Sequence, residues 1–481
     1  MSDIKRQHPL SLVAYTKRKF WLLLIPLIRS LFALDFDFFK LLGSSLSDLL
    51  FVAAVLLYAF LQYRTTFYHF GEKSLHIKTG IIFRSEFSLE YRLICSAASN
   101  EEFFLRPFGA TVLSVESEAK SAFNKRRAAD ITLITPSCEA VRFIGKLRRE
   151  DKNRRARLVF GAPRSMLILF SLLFSNALAS GVYLAVLFSQ SFNILGKTLE
   201  SYFIDTFNYV SKIMSDFIIG IPSYAVIAVI VIICGFTFSF FSNILRYVGF
   251  RVYRKGKIIT VKSGYFSKRL ILINTDFINY ADFRQNLIMK AMGVYSLHVG
   301  CIGYGKRRGE IPVFIPLAER EELGAAVKMF LPDFADKRAA AEDFVKPQKP
   351  SFVLYMWLPV LLVILFAAAF FILINIFPKF SELILFVFLM AEIPSVVFTI
   401  CCLIEYKTSG IAEENGFFEI KYRRFWSFHY VLTKHSKIVK INRYASPYYR
   451  RTGISNTYIM TRGEKGIIHR LRGGPAGIIF T

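Results

Sequence analysis

Two long apolar stretches followed by a basic, strand-rich block form a unit that this 481-residue chain carries three times. A repeat of this kind constrains the fold before any motif does, because one supersecondary solution must serve every copy. The spacing inside the blocks supports the repeat. Gly80 and Gly109 are 29 positions apart, and so are Gly264 and Gly293.

The apolar stretches predict membrane helices. Hydrophobic residues make up 54% of the chain, yet charged residues still make up 20%, so polar domains accompany the membrane part. A spanning helix needs roughly 20 mostly apolar residues. Six segments reach or approach that length: 20–42, 46–63, 166–188, 217–241, 352–377 and 380–404. Arg29, Asp35 and Asp37 interrupt the first of them, which fits a tilted span or a shorter helix with an interfacial tail. The polar, basic N-terminus lacks a small-residue cleavage site after its first apolar run, which reads as a retained helix.

Charge orients the set. Segments 35–48 and 191–216 are slightly acidic, and almost nothing joins the fifth and sixth helices. Residues 142–164 alone carry nine Lys or Arg against Glu150 and Asp151. The positive-inside rule then places the N-terminus and all three blocks on the cytoplasmic side of a bacterial inner membrane. It also accounts for the net charge of +27 without nucleic acid. Within 191–216, Leu195, Leu199, Phe203, Phe207, Val210 and Met214 recur at helical spacing, which reads as an amphipathic helix lying on the outer surface.

The second block is the clearest. The β-branched run Ile258–Ser263 ends at a tight turn on Gly264, and a second strand returns over Lys268–Ile273. Strand-like runs follow at 294–299 and 311–315. After Pro316 the spacing of Leu323, Val327, Phe330 and Leu331 predicts an amphipathic helix. Several strands closed by one helix predict a small antiparallel barrel or sandwich with a helical cap. The first block keeps the same offsets: Ile94 and Ile278 each follow the turn glycine by 14 positions, and Arg106 and Lys290 precede the second glycine by three. The third keeps part of the frame in Ile438, Arg450, Gly453 and Ile459. Its turn glycine is replaced by Arg424. Arginine tolerates a positive φ poorly, so that turn is expected to differ. No closing helix is expected before Thr481, so this module reads as degenerate, truncated or completed by another chain.

Paired membrane helices followed by blocks such as KSGYFSKRLILINTDFINY resemble the bacterial pleckstrin-homology membrane proteins of the YdbS/YdbT type, and the three-module layout resembles the longer, YdbT-like members. The resemblance implies six transmembrane helices in three pairs and three cytoplasmic pleckstrin-homology-like modules, each a seven-stranded barrel or sandwich with a C-terminal helix. It brings no catalytic residues and no cofactor. The corresponding division is 1–65, 161–245 and 351–404 for the helix pairs, 66–160, 246–335 and 405–481 for the modules, and 336–350 for a linker.

Enzyme constellations are absent from the sequence. There is no P-loop, no G-x-S-x-G elbow and no His or Cys spacing for a metal. The Gly-rich run 300–305, flanked by Lys306, Arg307 and Arg308, reads as a basic hairpin turn rather than a phosphate cradle, because no helix follows to donate N–H groups. The expectation is a non-enzymatic membrane scaffold that binds proteins, a related membrane protein among them. Arg84, Lys268, Arg269, Arg423 and Arg424, near the first hairpin of each block, are candidate contacts to anionic lipid. Arg29 and Glu392 lie at similar depth and are a candidate intramembrane pair. A component of a transport, export or resistance system is the alternative; it draws on Glu392, Pro222, Pro359, Pro394 and the external loop.

Overall fold

Alternating β-branched and aromatic residues between glycine turns give short antiparallel strands, and the three blocks fold into the same order of elements. The structure is a computed structural model that describes residues 5–19, 38–81, 83–117, 131–149, 157–175, 205, 209, 223–301, 313–335, 344–414, 416–462 and 467–476. After a two-residue strand β1 (Lys5–Arg6), the first block runs β2 (Phe67–Phe70), β3 (Ser74–Thr79), β4 (Ser85–Glu90), β5 (Ile94–Glu101), β6 (Ala110–Ser117) and β7 (Ile131–Pro136), then a helix at Ser137–Arg149. A strand β8 (Arg157–Gly161) follows. The second block runs β9 (Arg251–Lys255), β10 (Ile258–Ser263), β11 (Lys268–Asn274), β12 (Ile278–Gln285), β13 (Val294–Cys301) and β14 (Ile315–Glu319), then a helix at Arg320–Phe330. The third runs β15 (Gly410–Glu414), β16 (Phe417–Arg424), β17 (Ser427–Lys434), β18 (Ile438–Tyr444), β19 (Ile454–Thr461) and β20 (Ile467–Pro475).

The punctuation is shared as well. A three-residue helical turn joins the third strand to the fourth at Tyr91–Leu93, Thr275–Phe277 and His435–Lys437. A second short helical turn precedes Gly109, Gly293 and Gly453, whose φ angles are 63°, 69° and 69°. Each of these glycines donates its N–H to the carbonyl three residues back, at Arg106, Lys290 and Arg450. A left-handed residue ends a helical turn cheaply only when it lacks a Cβ. The hairpin between the second and third strands of blocks one and two turns at Gly80 and Gly264, with φ of 131° and 96°. A Cβ on Gly80 would lie 1.9 Å from the Phe83 carbonyl oxygen. In block three Arg424 stays in the strand, opposite Ser427, and Phe425 takes the positive φ at 53°. That turn does differ, and the two residues Phe425 and Trp426 close it.

The second block's helix starts later than its spacing implied. Pro316 lies inside β14, at the edge of its sheet, where a residue without an N–H is tolerated. The helix then begins at Arg320 and buries Leu323, Ala326, Val327 and Phe330.

The chain divides into two compact units, and the division cuts the second block between Phe277 and Ile278. The first unit comprises residues 1–158, 251–277 and 301–310. It holds the sheet β1-β2-β3-β4 and a second antiparallel sheet in which β7-β6-β5-β11-β10-β9 lie side by side. Leu75, Leu113, Val115 and Leu133 fill its core beneath the Ser137–Arg149 helix. That helix contributes Ala140, Phe143, Ile144 and Leu147, at the spacing of one helical face. The second unit holds the sheet β14-β13-β12-β17-β16-β15 and the sheet β18-β19-β20. Phe418, Ile420, Val431, Ile459 and Leu471 form its core. Each six-strand array is therefore composite: three strands from the second half of one block and three from the first half of the next.

Among the described residues, three helices are long and apolar enough to cross a membrane: Ile230–Tyr247, Lys349–Ile376 and Pro378–Thr408. The last two form an antiparallel hairpin in which the rings of Phe370 and Phe388 meet at 4.5 Å. A 28-residue helix, Phe38–Thr65, contains the second expected span, and Arg164–Leu173 begins the third. Most of the first span, with Arg29, lies outside the described residues, as do the Gly-rich run beyond Cys301 and nearly all of 191–216.

Candidate functional site

In the second unit, the composite sheet floors a cleft of about 430 Å³ between β12, β16, β17 and the start of the Arg320–Phe330 helix. β16 contributes Glu419, Lys421 and Tyr422, and β17 contributes Phe428, His429 and Tyr430. Three cations, Lys290, Arg320 and Lys421, line the cleft with one carboxylate, Glu419. Glu419 accepts a 2.6 Å hydrogen bond from the Tyr430 hydroxyl. The two lysines sit over rings. Lys421 Nζ is 3.4 Å from the Phe344 centroid, and Lys290 Nζ is 4.4 Å from that of Phe428. Burial lowers the pKa of both ammonium groups, and Glu419 partly offsets this at Lys421. An anionic group entering the cleft would neutralise cations that burial disfavours.

A buried polar chain braces the floor. Arg284 Nε donates to Asp282 at 2.6 Å, and His429 Nδ1 lies 3.0 Å from the same carboxylate. Burial alone would raise the Asp282 pKa; the charges of His429 and Arg284 outweigh it and hold the carboxyl below the usual range. The Tyr422 ring stacks on His429 at 4.9 Å, and its hydroxyl lies 3.0 Å from His469 Nδ1. His469 Nε2 reaches Thr461 at 3.3 Å. Burial pushes the His469 pKa down to about 4, so the ring is neutral at pH 7. These partners are distant in sequence. Asp282 and His429 meet only because β12 pairs with β17, and no local motif marks either.

The predicted cations divide by environment. Arg84, Lys268 and Arg424 are exposed near the tips of the hairpins between the second and third strands, and Arg269 is half-buried. Arg423 corrects the lipid-contact expectation. It is 2% exposed, with its Nε 2.8 Å from Glu405 on the Ser381–Thr408 helix and Nη2 2.8 Å from Cys402 Sγ. Its Nη1 also donates to the Phe425 carbonyl. Its charge is neutralised inside the protein and does not face a bilayer. Glu392 lies in the same helix with one carboxylate oxygen buried and no hydrogen-bond partner among the described residues. The proposed partner Arg29 lies outside them.

Charge counting overlooked the aromatic residues beside these cations. Each tip exposes large rings: Phe83 in block one, Tyr265 and Phe266 in block two, Phe425 and Trp426 in block three. The signal was present as an aromatic residue within two positions of the basic one in every block. Trp426 also packs on Phe398, at 5.8 Å between centroids. Phe398 lies ten residues before the end of the Ser381–Thr408 helix, so at 1.5 Å per residue this tip lies about 15 Å along an apolar helix.

Among the described residues, no group of His, Cys, Asp and Glu is arranged to hold a metal. The family model for the bacterial PH domain matches residues 23–145 and 209–328, half of the chain. No curated protein and no solved structure matches it.

Proposed function

The chain belongs to the bacterial PH domain family, and from that premise we propose that it is a non-enzymatic membrane scaffold that captures protein partners. In this reading six helices in three pairs anchor three pleckstrin-homology-like modules, the third in the pattern of the longer YdbT-like proteins. The N-terminus and all modules face the cytoplasm of a bacterial inner membrane. The observation that carries the proposal is the cleft over the second composite sheet. It combines three cations and aromatic walls over the face of the sheet, a surface suited to a peptide with acidic side chains.

The test is purification in mild detergent from native membranes. Deleting whole modules would remove half of a composite sheet, so point changes are the better probe. A stoichiometric protein partner is expected, and the double variant Lys421→Glu/Arg320→Glu is expected to lose it while remaining folded. Retention of that partner at wild-type stoichiometry by the variant would sink the reading. So would co-purification of anionic lipid alone.

Lipid contact enters as a second role for the hairpin tips. Interfacial Trp and Tyr beside Lys and Arg are the composition of membrane-surface anchors. In a Trp21→Phe/Trp357→Phe chain reconstituted into vesicles, Trp426 emission is expected to be quenched by lipids brominated on their acyl chains. Emission insensitive to those lipids would show that the tip stays clear of the bilayer.

A further inference from the structure

The composite sheets repeat one junction twice, and the ends of the chain hold the two halves of a third. In the first junction β5 pairs antiparallel with β11, from Ser96↔Ile273 to Glu101↔Lys268. In the second β12 pairs with β17, from Tyr280↔Thr433 to Gln285↔Phe428. The register is the same. In both, the residue two positions after one block's isoleucine (Ile94, Ile278) faces the residue five positions before the next block's isoleucine (Ile278, Ile438). The strand left over in block three is β18, the counterpart of β5 and β12. The strand left over in block one is β4, the counterpart of β11 and β17. Both are outer strands of their sheets among the described residues.

Exposure separates joined from unjoined strands. Seven of the eight residues of β12 are buried, whereas none of β18 is. In β4 only Leu89 is buried. Val439 and Tyr444 on β18 are 68% and 60% exposed. No proline interrupts either strand.

We infer that β18 of one copy pairs with β4 of a second copy in the register of the internal junctions, joining chains head to tail. The inference rests on the scaffold reading, which places both ends on the same side of one membrane. The register sets Lys440 opposite Leu89, Asn442 opposite Phe87 and Arg443 opposite Glu86 of the second copy. The last is an opposite-charge pair across strands, as Lys268 and Glu101 are in the first junction. The contact is heterologous: each copy uses one surface to give and another to receive, so further copies can add.

Cross-linking in native membranes tests it. Two full-length chains with different tags, both lacking the exposed Cys138 and Cys234 as C138S/C234A, carry Glu86→Cys and Arg443→Cys respectively. Co-expressed and treated with a short bis-maleimide, they are expected to give a mixed-tag dimer, with no product from either chain alone. One chain carrying both substitutions is expected to give a ladder. Same-tag dimers in equal yield, no mixed-tag product, or a doubly substituted chain that cross-links only within itself would each overturn the inference. As a charge readout, the Arg443→Cys site is moved to Asn442→Cys and the Glu86→Cys site to Phe87→Cys. Glu86→Arg is then expected to lower the mixed-tag yield roughly fivefold, with Arg443→Glu in the other chain restoring it. A chain that keeps its cleft partner without cross-linking fails only here; one that cross-links but loses the cleft partner fails only the capture reading.

Discussion

Replacing Arg423 by alanine is expected to destabilise the second unit by about 3–5 kcal/mol, the cost of stranding one member of a buried ion pair. Arg423 and Glu405 have side chains 3% and 2% exposed and meet at 2.8 Å. The guanidinium also serves Cys402 Sγ and the Phe425 carbonyl, so its loss takes the donor away from Glu405 and from two further acceptors. The pair joins β16 to the last turn of the Ser381–Thr408 helix, so the variant should loosen the third module from its membrane hairpin. Limited proteolysis of detergent-solubilised protein reads this as early cleavage within 409–476, with the hairpin itself intact. The double variant Arg423→Met/Glu405→Leu removes both charges and should recover much of the loss, because the desolvation cost disappears with the pair. A single variant as resistant as wild type would mean that water reaches the pair.

Acid should weaken the same unit in a defined window. His469 is held neutral in the fold with a pKa of about 4, against about 6.5 in an unfolded chain. Between those values the unfolded state binds the proton and the folded state does not, so stability falls as pH falls. Its contribution is fully present above about pH 6.5. It declines toward pH 4, where about 3 kcal/mol has been lost, roughly 2 kcal/mol of it by pH 5. Asp282 acts below that window. Its folded pKa is depressed, so its stabilisation is complete above about pH 3.9 and is lost only under it. Hydrogen exchange at β16 and β20, corrected for intrinsic rates, should show opening that grows from pH 7 to pH 5. His469→Gln should flatten that growth while keeping hydrogen-bonding capacity toward Tyr422 and Thr461. A His469→Gln profile as steep as wild type would remove His469 as its cause.

Much of the architecture was legible because it is local. The turn at Gly80, the shared offsets of Ile94, Ile278 and Ile438, and the second glycines all follow from backbone requirements that leave a mark at one position. The helix of block one declares itself by the spacing of Ala140, Phe143, Ile144 and Leu147. Where a local rule met a tertiary one, the tertiary rule won. Pro316 looked like a helix start but sits in an edge strand, and the cation Arg423 looked like a surface residue but is buried against Glu405. The cleft was not legible at all, since its walls come from β12, β16, β17 and the Arg320–Phe330 helix, which only pairing brings together.

The repeat, the strand-and-turn grammar within each block and the long apolar helices are written in short stretches of residues, because side-chain sterics and hydropathy act over a few positions. That the blocks do not close on themselves emerges only when the whole chain packs. Strand edges pair by backbone hydrogen bonds that are nearly indifferent to side-chain identity, so no residue announces that β11 goes to β5 and β17 to β12. The same indifference leaves β4 and β18 as two matching ends that a reading of either block alone would not reveal.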